Sequence, residues 1–346
     1  MSGRLSGVRH FSSLLTPIAE LYYTSAVSKP ERLSLTLQIG ALTLARLFIN
    51  TGIRMAYPFL PELARGLGTT EEAVARLVSF RSLVGVLSPL FSPLSERYGR
   101  RAALSISVTL FSLGCLVVAI WPTYWALGLT LTAIGIGKVI FDPAMQAYLG
   151  DIVPYHQRGR AISATELSWA GAFFLGVPAV AFAIERWGWQ APFLGLGLFG
   201  LASLVVLWWR LPPAHNKGSQ LRGFSALFRT ISQHPVMLAA AVYILLAMLA
   251  NELLLIVYGR WMESSFGLDL GAIGLATTVI GAAEFTGEIT TGLIVDRFGK
   301  RPVVITFGLL TALVYFVVPH TGVSLTAALV TLFVLFFCFE MTVVGG

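Results

Sequence analysis

The chain has 346 residues, of which 56% are hydrophobic and only 12% charged, and its mean hydropathy is +0.77. That make-up excludes an ordinary soluble globule and indicates an integral membrane protein. A formal charge of +7 would suit a nucleic-acid binder, but the basic residues stand in short connectors between apolar runs, with no polar domain to present a groove-reading surface.

In chain order, residues 1–32 are mixed and moderately basic, with a short apolar patch at Phe11–Leu15 but no uninterrupted core of a cleavable signal peptide. The first true span therefore serves as its own insertion signal. Apolar runs long enough to cross a bilayer predict helices over Leu35–Pro58, Ala73–Leu94, Ala102–Trp121, Tyr124–Leu149, Ala161–Ile184 and Ala191–Trp209. A polar stretch from Arg210 to Pro235 follows, with Pro212, Pro213, Gly218 and an amphipathic piece at Leu221–Ile231, as expected of a linker lying along a membrane surface. Four further spans are predicted over Val236–Tyr258, Leu268–Leu293, Pro302–Val318 and Val323–Val344. The expected organisation is an amino-terminal segment (1–32), a six-helix half (33–209), a linker (210–235) and a second half holding four helices (236–346).

Lys and Arg in short loops resist translocation, and here they collect on one side. Arg4, Arg9, Lys29, Arg32, Arg97, Arg100, Arg101, Arg158, Arg160, Arg210, Lys217, Arg222, Arg229, Arg297, Lys300 and Arg301 share it, against Arg65, Arg186 and Arg260 on the other. The amino terminus and linker are thus expected in the cytoplasm, in a multi-pass protein of the cell membrane. Trp187, Trp189 and Trp261 near the opposite helix ends suit an interfacial aromatic belt.

Two connectors are near copies. Ser92-Pro-Leu-Ser-Glu96-Arg97-Tyr-Gly99-Arg100-Arg101 follows the second span, and Gly292-Leu-Ile-Val-Asp296-Arg297-Phe-Gly299-Lys300-Arg301 follows the eighth. The echo continues in Asn50, Tyr57, Glu62, Gly66 and Leu67, repeated in order and spacing as Asn251, Tyr258, Glu263, Gly267 and Leu268. The sequence is a duplication.

These residues resemble the major facilitator superfamily (MFS) of secondary transporters over nearly the whole chain after the amino-terminal segment. The family's loop of form G-x-L-x-D-R-x-G-R-R is matched closely by Gly292–Arg301 and, with Ser92 and Glu96 in place of Gly and Asp, by the first copy. Asp151–Ala161 is similar to the family's loop between helices 4 and 5, and Tyr57-Pro58-Phe-Leu-Pro61-Glu62 resembles its drug and metabolite efflux branch. The arginine frequent in the family's helix 4 is replaced by Leu131, and the antiporter glycine–proline pattern is partial, as Gly171, Gly176 and Pro178 followed by Ala181 and Phe182. The resemblance implies an all-α membrane fold of two pseudo-symmetric six-helix halves. About ten helices are present, so the second half is expected to lack two.

It also implies gating roles for Glu96, Arg97, Gly99, Arg100, Arg101, Gly292, Asp296, Arg297, Gly299, Lys300 and Arg301, with Arg158 and Arg160. In the resembled fold each turn's acid meets the positive amino-terminal end of a helix in the opposite half. Asp296 would meet the start of the fifth span near Arg160; the partner of Glu96 would be an eleventh helix, so an incomplete cytoplasmic gate is expected.

Ionisable groups inside spans are costly and are functional candidates. Arg46, Asn50 and Arg54 recur every four residues and share one helical face. In the resembled fold that helix lines the central cavity, so they are substrate-binding candidates together with Asn251; the alternative is that the arginines neutralise neighbouring carboxylates. Lys138 and Asp142, also four apart, suit a local ion pair. Glu284 and Glu288 share a face, where like charges repel, so one of them is suited to carry a proton; Asp142, Glu166 and Glu252 are further proton-coupling candidates.

Other patterns carry less. Gly195-Leu-Gly197-Leu-Phe-Gly200 matches G-x-G-x-x-G, but without a strand before it or a ribose-binding acid after it, close helix packing is the better reading. Cys115, Cys338 and the scattered histidines have neither disulfide nor metal-ligand spacing. No grouping of nucleophile and base indicates an enzyme, and no cofactor is expected. The function expected is proton-coupled efflux of an amphipathic or anionic small molecule. Uptake or facilitated diffusion of a metabolite, and a non-transporting sensor or scaffold, are the alternatives.

Overall fold

The computed structural model describes residues 29–85, 88–211, 233 and 235–345; the side chains of Ser92 and Asp296 also lie outside the described set. Arg4, Arg9 and the amphipathic part of the linker fall outside it as well. Among the described residues every regular element is helical. Before the linker these are α1 (Lys29–Arg54), α2 (Leu60–Leu67), α3 (Glu71–Val84), α4 (Ser88–Tyr98), α5 (Arg100–Ile120), α6 (Tyr124–Ile152), α7 (Arg158–Gly171), α8 (Val177–Trp187) and α9 (Ala191–Arg210). After it come α10 (Pro235–Phe266), α11 (Leu270–Phe298), α12 (Lys300–Val317) and α13 (Leu325–Gly345).

Among the described residues, eight helical segments are long and apolar enough to cross a membrane. The first two predicted spans fall outside that group: α1 buries Arg46 and Arg54, and α3, which buries Arg81, has only 14 residues. Helix starts follow local chemistry. Thr70, Thr123 and Asp269 cap α3, α6 and α11 by accepting hydrogen bonds from Ala73, Ala126 and Ala272. The duplicated turns have duplicated backbone geometry, since Gly99 (φ 90°) and Gly299 (φ 81°) both adopt the left-handed region immediately before α5 and α12. A side chain would be strained at either.

Two predicted spans prove to be composite. The second is described as α3 and α4, on either side of residues 86–87, and Pro89 and Pro93 in α4 have no backbone N–H to donate. The fifth contains a π-turn, Ala172–Gly176, between α7 and α8. Pro178 has no N–H to offer the carbonyl four residues earlier, and the amide of Val177 bonds instead to the carbonyl of Ala172.

Polarity is inverted relative to a soluble protein. Leu245, Leu246, Leu253, Leu309 and Phe316 are exposed, while Arg46, Arg54, Arg81, Glu284 and Glu340 are buried. α1 packs on α7 and α9, α5 on α6 and α9, and α13 on α11 and α12. The seam between the two sets of helices runs where α11 lies along α7, the π-turn and α8. Gly281 makes that seam close: a Cβ there would lie 2.7 Å from the Phe174 amide nitrogen and 3.0 Å from the Ala170 carbonyl oxygen.

Candidate functional site

The Arg46–Asn50–Arg54 face of α1 points at α6, α7 and α11. Arg46 Nε donates to Asp142 Oδ1 (2.9 Å), and its Nη1 lies 2.8 Å from Glu166 Oε2 and 3.0 Å from the carbonyl oxygen of Thr165. Lys138 Nζ takes the other Asp142 oxygen at 2.7 Å, one helical turn away. Asn50 is fully buried and donates to Ser168 Oγ (3.2 Å).

Arg54 crosses the seam. Both of its terminal nitrogens engage the carboxylate of Glu284, and Nη1 also donates to the Trp169 carbonyl oxygen (2.9 Å). Its guanidinium lies 4.0 Å from the centroid of the Trp169 ring and 3.7 Å from that of Phe173. Arg54 and Glu284 are 1% and 2% exposed, so the pair is held without water and depends on its own geometry. Arg54, rather than Arg46 or Arg81, is the arginine that meets Glu284.

Arg46, Arg54, Lys138, Asp142, Glu166 and Glu284 line a cavity of about 620 Å³ between the halves, whereas Asn50 is not among its lining residues. Its charged wall comprises Arg46, Arg54 and Lys138 against Asp142, Glu166, Glu284, Glu288 and Glu340. Asn251, Trp169, Leu167, Met248, Ile289, Phe339 and Val343 complete most of the rest. Gly292, first residue of the second signature turn, lies at one limit of the cavity. Glu340 escaped the sequence reading because a single carboxylate in the most apolar span has no spacing partner; its isolation in Phe339-Glu340-Met341 was the available signal. Trp169 was recoverable too, lying three residues after Glu166 on one face of α7.

Glu252 does not reach this cavity. It accepts from Tyr57 Oη (2.9 Å) and Ser82 Oγ (2.6 Å), with Arg81 Nη2 at 3.6 Å. Further along, the halves are bridged again: Arg65 pairs with Glu62 (2.9 Å) and Glu263 (2.7 Å), and Arg260 with Glu71 (2.8 Å). Burial lowers the Arg65 pKa, but its hydrogen bonds to Glu62 and Glu263 outweigh that and leave it raised.

The gating candidates lie at the opposite end. Arg100 pairs with Asp151 (3.4 Å) and donates to Ser95 Oγ (2.8 Å), while Arg101 donates to the Trp208 carbonyl oxygen and stacks on its ring at 4.4 Å. Arg158 donates to the Val153 carbonyl oxygen (3.0 Å). Arg97 and Arg297 sit over their neighbouring rings, Tyr98 and Phe298, at 5.5 and 5.4 Å. Glu96 is half-buried, whereas Arg160, Gly292, Lys300 and Arg301 are exposed. The side chain of Asp296 is outside the described residues. Among the described residues no three His, Cys, Asp or Glu side chains gather as a metal ion would require.

A family model described as Major Facilitator Superfamily matches residues 42–346. The chain belongs to the Major Facilitator Superfamily. This MFS protein is 25% identical over 288 residues to the MFS-type transporter YwfA of Bacillus subtilis (strain 168), covering 80% of this chain and 68% of that one. It is 30% identical over 174 residues to the inner membrane transport protein YdhP of Escherichia coli (strain K12), covering 50% of this chain and 44% of YdhP. Multidrug resistance protein 1 of Bacillus subtilis (strain 168) is 25% identical over 314 residues, covering 88% and 79% of the two chains. Among solved structures, a bacterial homologue of the human lysosomal transporter Spinster, inward-facing and unoccupied, superposes with a TM-score of 0.74 at 15% identity, covering 92% of this chain and 74% of that one. The D-xylose–proton symporter gives 0.67 at 19%, covering 89% and 80%. MFS membership makes the chain a multi-pass membrane transporter rather than an enzyme.

Proposed function

We propose that the chain exports an amphipathic organic solute across the cell membrane by alternating access, with protons moving the other way. One observation carries the reading: a largely apolar, drug-sized cavity between the halves whose wall holds five carboxylates and three cations, Asp142, Glu166, Glu284, Glu288 and Glu340 against Arg46, Arg54 and Lys138. A buried charge at membrane depth costs about 3 kcal/mol or more unless it is paired or neutralised. The carboxylates in excess of the cations are suited to take up protons. Glu284 is placed to couple, because its partner Arg54 sits on the other half, and rocking would part or join the two.

Several further features support the direction and conformation proposed. Multidrug resistance protein 1 matches over most of this chain. The Arg65 and Arg260 bridges join the halves at one end, whereas the cavity extends toward Gly292 at the other. With the signature turns in the cytoplasm, as loop charge indicates, this is a state open inward.

The test is solute flux in proteoliposomes carrying an internal pH reporter. Flux driven by a pH gradient and made independent of it by Glu284→Gln is expected. Flux indifferent to the gradient in the unsubstituted protein would instead mark a facilitative carrier, and neither binding nor flux across a broad solute panel would mark a sensor or scaffold.

A further inference from the structure

Resting on the transport reading, we propose that the central cavity takes amphipathic organic cations, with the carboxylates of Glu288 and Glu340 as their counter-charge. The argument is one of charge already spent. Arg46 is engaged by Asp142 and Glu166, Lys138 by Asp142, and Arg54 by Glu284. An anionic solute would have to displace one of these carboxylates while facing the rest. A cationic solute breaks none of these pairs.

Two carboxylates are left over. Neither Glu288 nor Glu340 pairs with another described residue, yet both line the cavity. Glu340 is only 6% exposed and emerges from the apolar helix α13. It stands against α11 at Gly287, where a Cβ would come 2.8 Å from its own. Glu284 precedes that glycine by three residues and Glu288 follows it directly, so Glu340 packs on the helical turn of α11 that carries both. The Asn251 side-chain oxygen, buried without a hydrogen-bond partner, adds a neutral acceptor on the same wall. Trp169 turns an aromatic face to cations, with Arg54 at 4.0 Å and Lys138 Nζ at 5.0 Å from its centroid.

The charges facing Glu288 and Glu340 across the cavity are Arg46, Arg54 and Lys138 and the acids Asp142, Glu166 and Glu284. Since the three cations are held by their own partners, the two remaining acids are neutralised by a proton or by a solute cation. The two compete for the same oxygens, so each bound cation releases a proton.

Tetraphenylphosphonium and tetraphenylborate, close in shape and opposite in charge, make the test. Binding to the full chain in lipid nanodiscs is measured against empty nanodiscs, with the unfolding temperature recorded alongside. The phosphonium is expected to bind, to stabilise the protein, and to bind more tightly as pH rises. Glu288→Gln and Glu340→Gln are each expected to weaken it at least about tenfold, which is about 1.4 kcal/mol. Glu340→Asp, which keeps the charge, should stay within a few-fold, and it carries the test together with Glu288→Gln should Glu340→Gln fail to fold. Equal or tighter borate binding, or unchanged phosphonium affinity in folded Glu288→Gln and Glu340→Gln, overturns the proposal. Binding without flux would sink the transport reading and leave the cation site standing; flux of anions without cation binding would do the reverse.

Discussion

Arg54 is the largest fully buried side chain among the described residues, and its environment explains how a full charge is tolerated there. Glu284 supplies the opposite charge in a two-pronged contact, the Trp169 carbonyl takes a further N–H, and two rings cover the faces of the guanidinium. Removing one member strands the other. Glu284→Gln is therefore expected to lower stability by about 3–5 kcal/mol, read as a fall in unfolding temperature in detergent. Replacing both, in Arg54→Leu/Glu284→Leu, should recover most of that loss, because two apolar groups need no partner. It should not recover flux that depends on a pH gradient. A double variant that transports with full coupling would show the pair to be structural only.

At the scale of elements, the seam depends on small residues where α11 meets α7, the π-turn and α8. Gly281→Ala puts a methyl group against the Phe174 backbone, which cannot retreat as a flexible side chain would. A cost of about 1–3 kcal/mol is expected, visible as a lower unfolding temperature, with Gly281→Leu worse. Such contacts mark the limit of what the sequence discloses. Apolar run length located the eight helices that are long and apolar enough to cross a membrane among the described residues, and the paired turns located Gly99 and Gly299, because both signals are local. The four-residue spacing put Arg46, Asn50 and Arg54 on one face for the same reason. Which carboxylate each arginine meets depends on how helices distant in sequence are apposed, and no local pattern carries that. The π-turn escaped because Pro178 announces a disturbed hydrogen bond without saying how the chain reroutes it. Glu340 escaped because its importance is positional, arising only when α13 lies against α11.

At the scale of the molecule, the duplication reaches the outer ion pairs. Glu62 and Glu263, counterparts in the repeat, share Arg65, and Arg260 returns a bridge from α10 to Glu71 on α3. Exposed pairs of this kind contribute about 0–1 kcal/mol each, because water screens them and long side chains lose freedom in forming them. Together they bias the end of the molecule at which they join the halves rather than lock it, as alternation between two states requires: a closure worth many kcal/mol would not reopen. Arg65→Ala/Arg260→Ala is accordingly expected to shift the conformational equilibrium by about thirtyfold at most, toward separation of the halves at this end, while leaving global stability nearly unchanged. Spin labels on Glu72 and Ser264, both exposed and on opposite halves, would report the shift as a growing population at longer distance. The native cysteines Cys115 and Cys338, at 0% and 4% exposure, add little background to such labelling. Raising the salt concentration should move the unsubstituted protein the same way, since it screens exposed pairs, and should do little to the double variant. A distance distribution unmoved by both the substitutions and salt would assign the closure to the apolar contacts of α10 and α11 instead.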